Sequence, residues 1–339
     1  MKKVFLISLF LLNIFSFFSC VTKSIQIGIL IYYEEDTYMK EYANNIIKNL
    51  PSGVNYTIDY ASNSQTVQNK QVIKLLDSKI DLLIVNPVDR LSCKTITELS
   101  ESKNVPIIFI NREPILSDIS FYKNVYYVGS NPSSQGKLQA KMIKEVAGNP
   151  KSLNPTFDRN SDSKIQAIVL KGEQGHQDAE NRTSYLISEL YGYGYDLEIL
   201  DVVVCDWKRD VAFKVMSELF NKFENIEYVF SNNDDMALGA IDFFKEIKLF
   251  NESETFNQPI CVVGVDGTIV GIDSIKKGLM YGTILNDSLS QSLAVISILE
   301  YFLGFTSRIS EDYTIINDKF VFIDGIIITK TNSLLNITS

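Results

Sequence analysis

The sequence predicts an α/β protein of two doubly wound parallel-sheet lobes, joined by a hinge that the chain crosses several times. Three observations predict it. Short, β-rich apolar runs alternate with amphipathic helical stretches along the 339 residues. These runs are apolar at consecutive positions, as strands are when helices cover both faces of a parallel sheet. About ten such units are too many for one open sheet of ordinary size, which calls for two lobes. No low-complexity linker separates them, so rigid crossings are expected rather than a tether.

The opening stretch MKKVFLISLFLLNIFSFFSC stands apart. Two lysines precede an uncharged, mostly apolar run from Val4 to Phe18, the layout of a secretory signal over residues 1–19. The run is too short to read well as a spanning helix. Ser19-Cys20 at its end resembles a bacterial lipobox, so cleavage before Cys20 and lipidation of its thiol are expected. The mature protein is then exported, periplasmic and lipid-anchored through Cys20. IQIGILIY follows as the first strand, and residues 37–49 read as an amphipathic helix. DLLIVNP and VPIIFINREP are strands ending in turn residues. VYYVGS leads into a helix from about Ser133 to Val146, and residues 149–163, polar with two prolines, read as a loop. KIQAIVLKG, LEILDVVVC, IEYVFSNND, PICVVGVDG and MYGTILND continue the strand series, with helical segments between.

The formal net charge is −9 with no cluster of lysine or arginine, which argues against a nucleic-acid partner. Four cysteines are present: Cys20, Cys93, Cys205 and Cys261. With Cys20 lipidated, an odd and widely spaced set remains, which suits neither a disulfide framework nor a zinc site. Burial is the simplest account of such free thiols.

Polar residues collect where strands end. IFIN ends in Asn111, VFSNND in Asn232, Asn233 and Asp234, VVGVD in Asp266, and TILND in Asn286 and Asp287. IVLKGEQGHQDAENR ends in a knot holding His176, the only histidine, with Asp178 and Arg182. Asn, Asp and Gly also close strands simply as turn residues. Five strands ending alike point instead to one cleft at the carboxyl ends of the sheets. Asn both donates and accepts, a carboxylate accepts and Arg donates, a mixture that suits a ligand covered in hydroxyls. Tyr38 and Trp207, the sole tryptophan, are candidates to sandwich a sugar ring, with core packing as the ordinary alternative. No Ser, Cys or paired-acid motif accompanies His176 for catalysis, and a lone histidine is no metal site.

The motifs EEDTYM, NPVD, VPIIFINREP, YYVG, IQAIVLKGEQGHQDAENRT, CDW, SNNDDMALGA, VVGVDGT and GTILNDSLSQS occur in this order. Through them the chain, from about Ile25 to Thr331, resembles the bacterial periplasmic galactose/glucose-binding proteins of ABC transport systems. That family has the type I periplasmic-binding-protein fold. The resemblance implies sugar contacts from Asp36, Asn111, His176, Asp178 and Arg182, and from Asn233, Asp266 and Asn286. It implies stacking by Tyr38 and Trp207. Tyr38 stands where better-known members have Phe, and its hydroxyl needs a partner. It also implies interleaved lobes, residues 24–129 with 286–319 and residues 130–285 with 320–339.

A Ca²⁺ site is expected elsewhere. DRNSDSKIQ places Asp158, Asn160 and Asp162 at alternate positions, with the Lys164 carbonyl seventh and Gln166 ninth, a spacing that suits Ca²⁺. The resemblance implies Glu227, in NIEYVF, as the distant bidentate acid. Ser163 occupies the usual tight-turn glycine position.

The expectation is therefore a monomeric substrate-binding lipoprotein of an ABC sugar importer, not an enzyme. It closes over D-glucose or D-galactose and is recognised by a membrane permease. The same site would serve a sugar-sensing protein that presents its closed form to a chemoreceptor in chemotaxis, or a binder of a different monosaccharide. A DNA-binding repressor with the same lobes is disfavoured by the export signal.

Overall fold

The computed structural model describes residues 24–333. The signal segment and Cys20 lie outside the described residues. The first lobe opens with β1 (Ile25–Ile31), α1 (Thr37–Lys48), β2 (Val54–Tyr60), α2 (Gln65–Asp77) and β3 (Leu82–Val85). It continues through α3 (Cys93–Ser102), β4 (Ile107–Ile110), α4 (Leu116–Ile119) and β5 (Val125–Ser130). The chain then crosses into α5 (Pro132–Ala147), a small hairpin of β6 (Gly148–Asn149) and β7 (Ser152–Leu153), and β8 (Lys164–Lys171). Next come α6 (Gln177–Gly192), β9 (Asp196–Val204), α7 (Arg209–Lys222), β10 (Tyr228–Ser231) and α8 (Asp234–Glu246). β11 (Cys261–Asp266), α9 (Ile269–Lys276) and β12 (Gly282–Leu285) complete this passage. The chain returns through α10 (Ser288–Phe302), β13 (Ile315–Ile316) and β14 (Phe320–Ile323), and ends in β15 (Ile326–Thr329) and α11 (Lys330–Ser333).

The first sheet has seven strands in the order β13-β14-β5-β4-β3-β1-β2, and the second has six in the order β15-β12-β11-β10-β8-β9. Pairing is parallel except for β13 with β14 and β12 with β15. The expected fold class holds. Alternate strand residues feed opposite faces, as the period of two requires. Ile29, Ile84 and Ile108 pack under α1 and α10, whereas Leu30, Leu83 and Phe109 pack under α2 and α3. In the second lobe Ile168 and Val262 face α7 and α8, while Val169 and Val263 face α5 and α6. Each sheet is thus covered twice.

Two expectations need correcting. The loop at 149–163 begins inside the hairpin of β6 and β7. More importantly, the last crossing does not fall at Phe320. β14 pairs in parallel with β5, and Phe320 packs on Tyr127 with ring centroids 5.7 Å apart. Phe320–Ile323 therefore belong to the first sheet, and the crossing lies between Ile323 and Ile326. Cys93, Cys205 and Cys261 are free and buried. Among the described residues no helix is long and apolar enough to cross a membrane.

Candidate functional site

The carboxyl ends of both sheets face one another across a cleft. From the first lobe, Asp36 caps α1, its Oδ1 accepting from the Met39 amide at 2.8 Å and its Oδ2 from the Tyr32 hydroxyl at 2.5 Å. Asn111 follows β4 in a left-handed conformation, φ +62°. Its carbonyl accepts from the Tyr127 hydroxyl at 2.7 Å, and its Oδ1 from the Asn86 amide at 3.2 Å. That reach of Tyr127 runs over Gly129, where a Cβ would lie 1.9 Å from the hydroxyl, so glycine is required there.

From the second lobe, His176 caps α6, and its Nδ1 accepts from the Asp178 amide at 3.1 Å. That bond places the proton of a neutral ring on Nε2. Burial, then Arg112, Arg182 and Arg90, hold the imidazole well below its ordinary pKa, so it is neutral at pH 7. Arg182 is buried and donates to Gln135 Oε1 at 2.8 Å and to the Asn232 carbonyl at 2.7 Å. It also lies 3.7 Å from Asp178 and 3.6 Å from Asp266. Burial raises the pKa of both carboxyls, and Arg182 opposes the rise.

Asp206 and Trp207 are both left-handed, with φ of +50° and +66°. Such a conformation costs a bulky residue about 1–3 kcal/mol and persists only where neighbours enforce it. Here the Asn233 amide donates to the Trp207 carbonyl at 3.2 Å. The indole lies against Gly172 and meets His176 edge-on, with centroids 5.1 Å apart. The Tyr38 hydroxyl accepts from Gln291 Nε2 at 3.0 Å, and the same nitrogen donates to Asn286 Oδ1 at 2.7 Å.

Nine of the ten residues expected to meet a ligand line one chamber. Asn286 stands behind it, 3.5 Å from Asp266. Two lining residues escaped the sequence reading: Tyr32 and Arg112. Arg112 immediately follows Asn111 at a strand end, and that position was its available signal. Its guanidinium lies 4.2 Å over the Tyr32 ring.

The lobes touch directly. Arg112 pairs with Glu173 at 3.1 Å, Gln177 donates to Glu113 at 2.8 Å, and the Ile269 amide donates to Glu41 at 3.1 Å. The chamber measures about 30 Å³, the room of one or two waters. This is a closed conformation, and a larger ligand requires the walls to part.

The loop at 158–166 lies at the opposite end of β8 from the chamber. Asp158 Oδ1 accepts from the Ser163 amide at 3.3 Å, and Asp162 Oδ1 from the Lys164 amide at 2.9 Å. Asn160 donates to Asp162 at 3.0 Å and to Gln166 Oε1 at 3.1 Å. Glu227 is wholly buried and accepts from the amides of Arg159 at 2.9 Å and Gln166 at 3.4 Å. Burial pushes its pKa up to about 7, and Asp158 and Asp162 add to the rise. Ser163 takes the left-handed turn, φ +62°, and the Lys164 ammonium pairs outward with Glu198 at 3.6 Å. Among the described residues no group of three His, Cys, Asp or Glu side chains is arranged to hold a metal, so a cation here would depend on amide and carbonyl oxygens as well.

The chain matches the periplasmic binding protein domain over residues 27–305. It is 35% identical over 277 residues to the D-galactose/methyl-galactoside binding periplasmic protein MglB of Haemophilus influenzae, covering 80% of each chain. A solved periplasmic solute binding protein of an ABC transporter from Actinobacillus succinogenes, with bound D-allose, superposes with a TM-score of 0.75 at 21% identity. The match covers 91% of this chain and 99% of that one. A solute binding protein from Bacillus halodurans with bound myo-inositol gives 0.73 at 23% identity, over 92% and 96% of the two chains. The chain belongs to the periplasmic binding protein family, whose members bind solutes and are not enzymes.

Proposed function

We propose that this protein is the sugar-binding component of an ABC importer, and that its ligand is D-glucose or D-galactose. One observation carries the reading: acids, amides, a neutral histidine and a buried arginine converge with Tyr38 and Trp207 on one chamber between the lobes. Asp36, Asp178 and Asp266 accept from sugar hydroxyls. Asn111, Asn233, His176 through Nε2, and Arg182 donate. Asn286 sets the Asp266 carboxylate, and the two rings take the apolar faces of the pyranose. A sugar touching both lobes favours the closed state through its differential contacts. The permease then reads that state, and lipid on Cys20 keeps the protein beside the membrane.

We also propose Ca²⁺ at the loop, held by Asp158, Asn160, Asp162, the Lys164 carbonyl, Gln166 and Glu227. The buried Glu227 carboxylate, with the half-buried Asp158 and the exposed Asp162 adding like charge, suits a cation that would offset them. Bound there, Ca²⁺ supplies only a structural cross-link between the loop and β10.

The test uses a Cys20→Ala protein lacking residues 1–19. It is titrated calorimetrically with D-glucose, D-galactose, D-ribose, D-allose and myo-inositol while Trp207 emission is followed. Saturable binding of glucose or galactose, lost in Asp178→Ala, is expected. Preference for ribose, allose or inositol would overturn the hexose assignment, and silence with all five would overturn the sugar reading.

A further inference from the structure

We infer that the interlobe cleft outside the chamber is a second subsite, built for a ring attached to the sugar, so that the protein takes disaccharides or ring-bearing glycosides of its hexose. The inference rests on the sugar reading above. A cavity of about 750 Å³ opens beside the chamber and shares Tyr32, Asp36 and Trp207 with it. Those three residues are the partition between the two spaces. The outer volume lies within the range of about 300–1,000 Å³ typical of ligand sites, far above the chamber's own.

The lining argues for an uncharged ring. Tyr33 from the first lobe and Phe213 and Val270 from the second provide apolar surface. The bases are already engaged. Arg209 grips Asp242 at 2.6 and 2.9 Å, Lys214 lies 3.9 Å from Asp210, and Lys208 sits 5.9 Å over the Tyr33 ring. Acids outnumber bases around the cavity. An anionic extension is therefore repelled, whereas hydroxyls find acceptors.

The partition also has a means of opening. Asp36 Oδ2 is held by the Tyr32 hydroxyl at 2.5 Å. A sugar hydroxyl that donates to Asp36 competes for that oxygen and loosens Tyr32, whose ring then moves only against its stacking with Arg112. Trp207 does not swing, because its left-handed backbone, Gly172 and His176 fix it. A bridging ligand thus passes a movable tyrosine and runs along a fixed indole.

The experiment titrates the same Cys20→Ala protein with the free hexose it binds. It adds, as extended ligands, the 4-nitrophenyl glycosides of that hexose in both anomers with lactose and maltose, and, as controls without a second ring, its methyl glycosides. Tyr33→Ala removes an outer ring, and Val270→Trp fills the outer cavity. At least one extended ligand is expected to bind within about tenfold of the free hexose. Tyr33→Ala should weaken that ligand by up to about tenfold, the scale of one aromatic contact. Val270→Trp should abolish its binding, while both variants bind free hexose unchanged, which also reports that they fold. Free hexose binding with no extended ligand accepted would overturn the inference, as would an extended ligand indifferent to Val270→Trp. Silence with every sugar would instead remove the sugar reading and this inference together.

Discussion

Arg112 of the first lobe meets Glu173 of the second at 3.1 Å, with the arginine 4% exposed and the glutamate 43%. The pair bridges the two lobes, so parting them would break it. Glu173→Gln removes the charge and keeps an acceptor. A partly screened pair contributes up to about 1 kcal/mol, so sugar affinity should fall about two- to fivefold. The radius of gyration of the sugar-free protein in solution scattering should rise. If neither changes, Arg112 is held by its own lobe, through the Val88 carbonyl and the Tyr32 ring.

Tyr38→Phe should leave the preference between glucose and galactose unchanged. The hydroxyl that distinguishes Tyr38 is engaged by Gln291 behind the chamber wall. Removing it costs one buried hydrogen bond, about 0.5–1.5 kcal/mol of stability, while Gln291 keeps its bond to Asn286. Chemical denaturation gives the stability and calorimetry the preference. A change of more than about tenfold in the affinity ratio, 1.4 kcal/mol, would mean that the hydroxyl reads the ligand.

Asp234 makes stability depend on pH. It is fully buried, accepts from the Thr268 amide and hydroxyl at 2.8 and 3.0 Å and from the Thr283 hydroxyl at 2.6 Å, and so fixes the loop behind Asp266. Burial pushes its pKa from 3.8 up to about 7. The folded state therefore holds its proton more tightly than the unfolded state. That stabilisation is complete below the unfolded pKa and is lost as pH rises through about 7. Asp178 and Asp266, also raised, act in the same direction. Thermal melts from pH 4 to 8 should show stability falling, with a shallower fall in Asp234→Asn. Equal slopes would place the dependence in the other acids.

Calcium should raise the melting temperature and a chelator should lower it, with Glu227→Gln insensitive to both. At a hundredfold excess over the dissociation constant the gain is about 2.7 kcal/mol. Identical melts with Ca²⁺ and with chelator would remove the ion from the account of this loop.

The strands, their double covering and the chamber were legible because each is written locally. The run IFIN marks both a buried strand and the turn that aims Asn111. Asn286 was readable as a strand-end amide, but only the fold shows it one step behind Asp266. Arg112 shares the strand-end position of Asn111, but that position alone does not tell a solvated arginine from one lying over Tyr32. β14 was misplaced for a similar reason. Its alternating Phe320 and Phe322 announce a strand, but its neighbour β5 lies nearly two hundred residues earlier, and pairing across such a distance leaves no local trace.

That late strand also sets the order in which the molecule can be completed during synthesis. The first sheet lacks β14 until Phe320–Ile323 have left the ribosome, and the second lacks β15 until Ile326–Thr329 follow. Domains commonly fold as units while the chain grows. Here both sheets wait for residues 320–329, so a nascent chain that has made both lobes but not this segment leaves one side of β5 and one side of β12 unpaired. A chain that must cross a membrane before folding gains from that arrangement, because neither half can finish its sheet early and block the way.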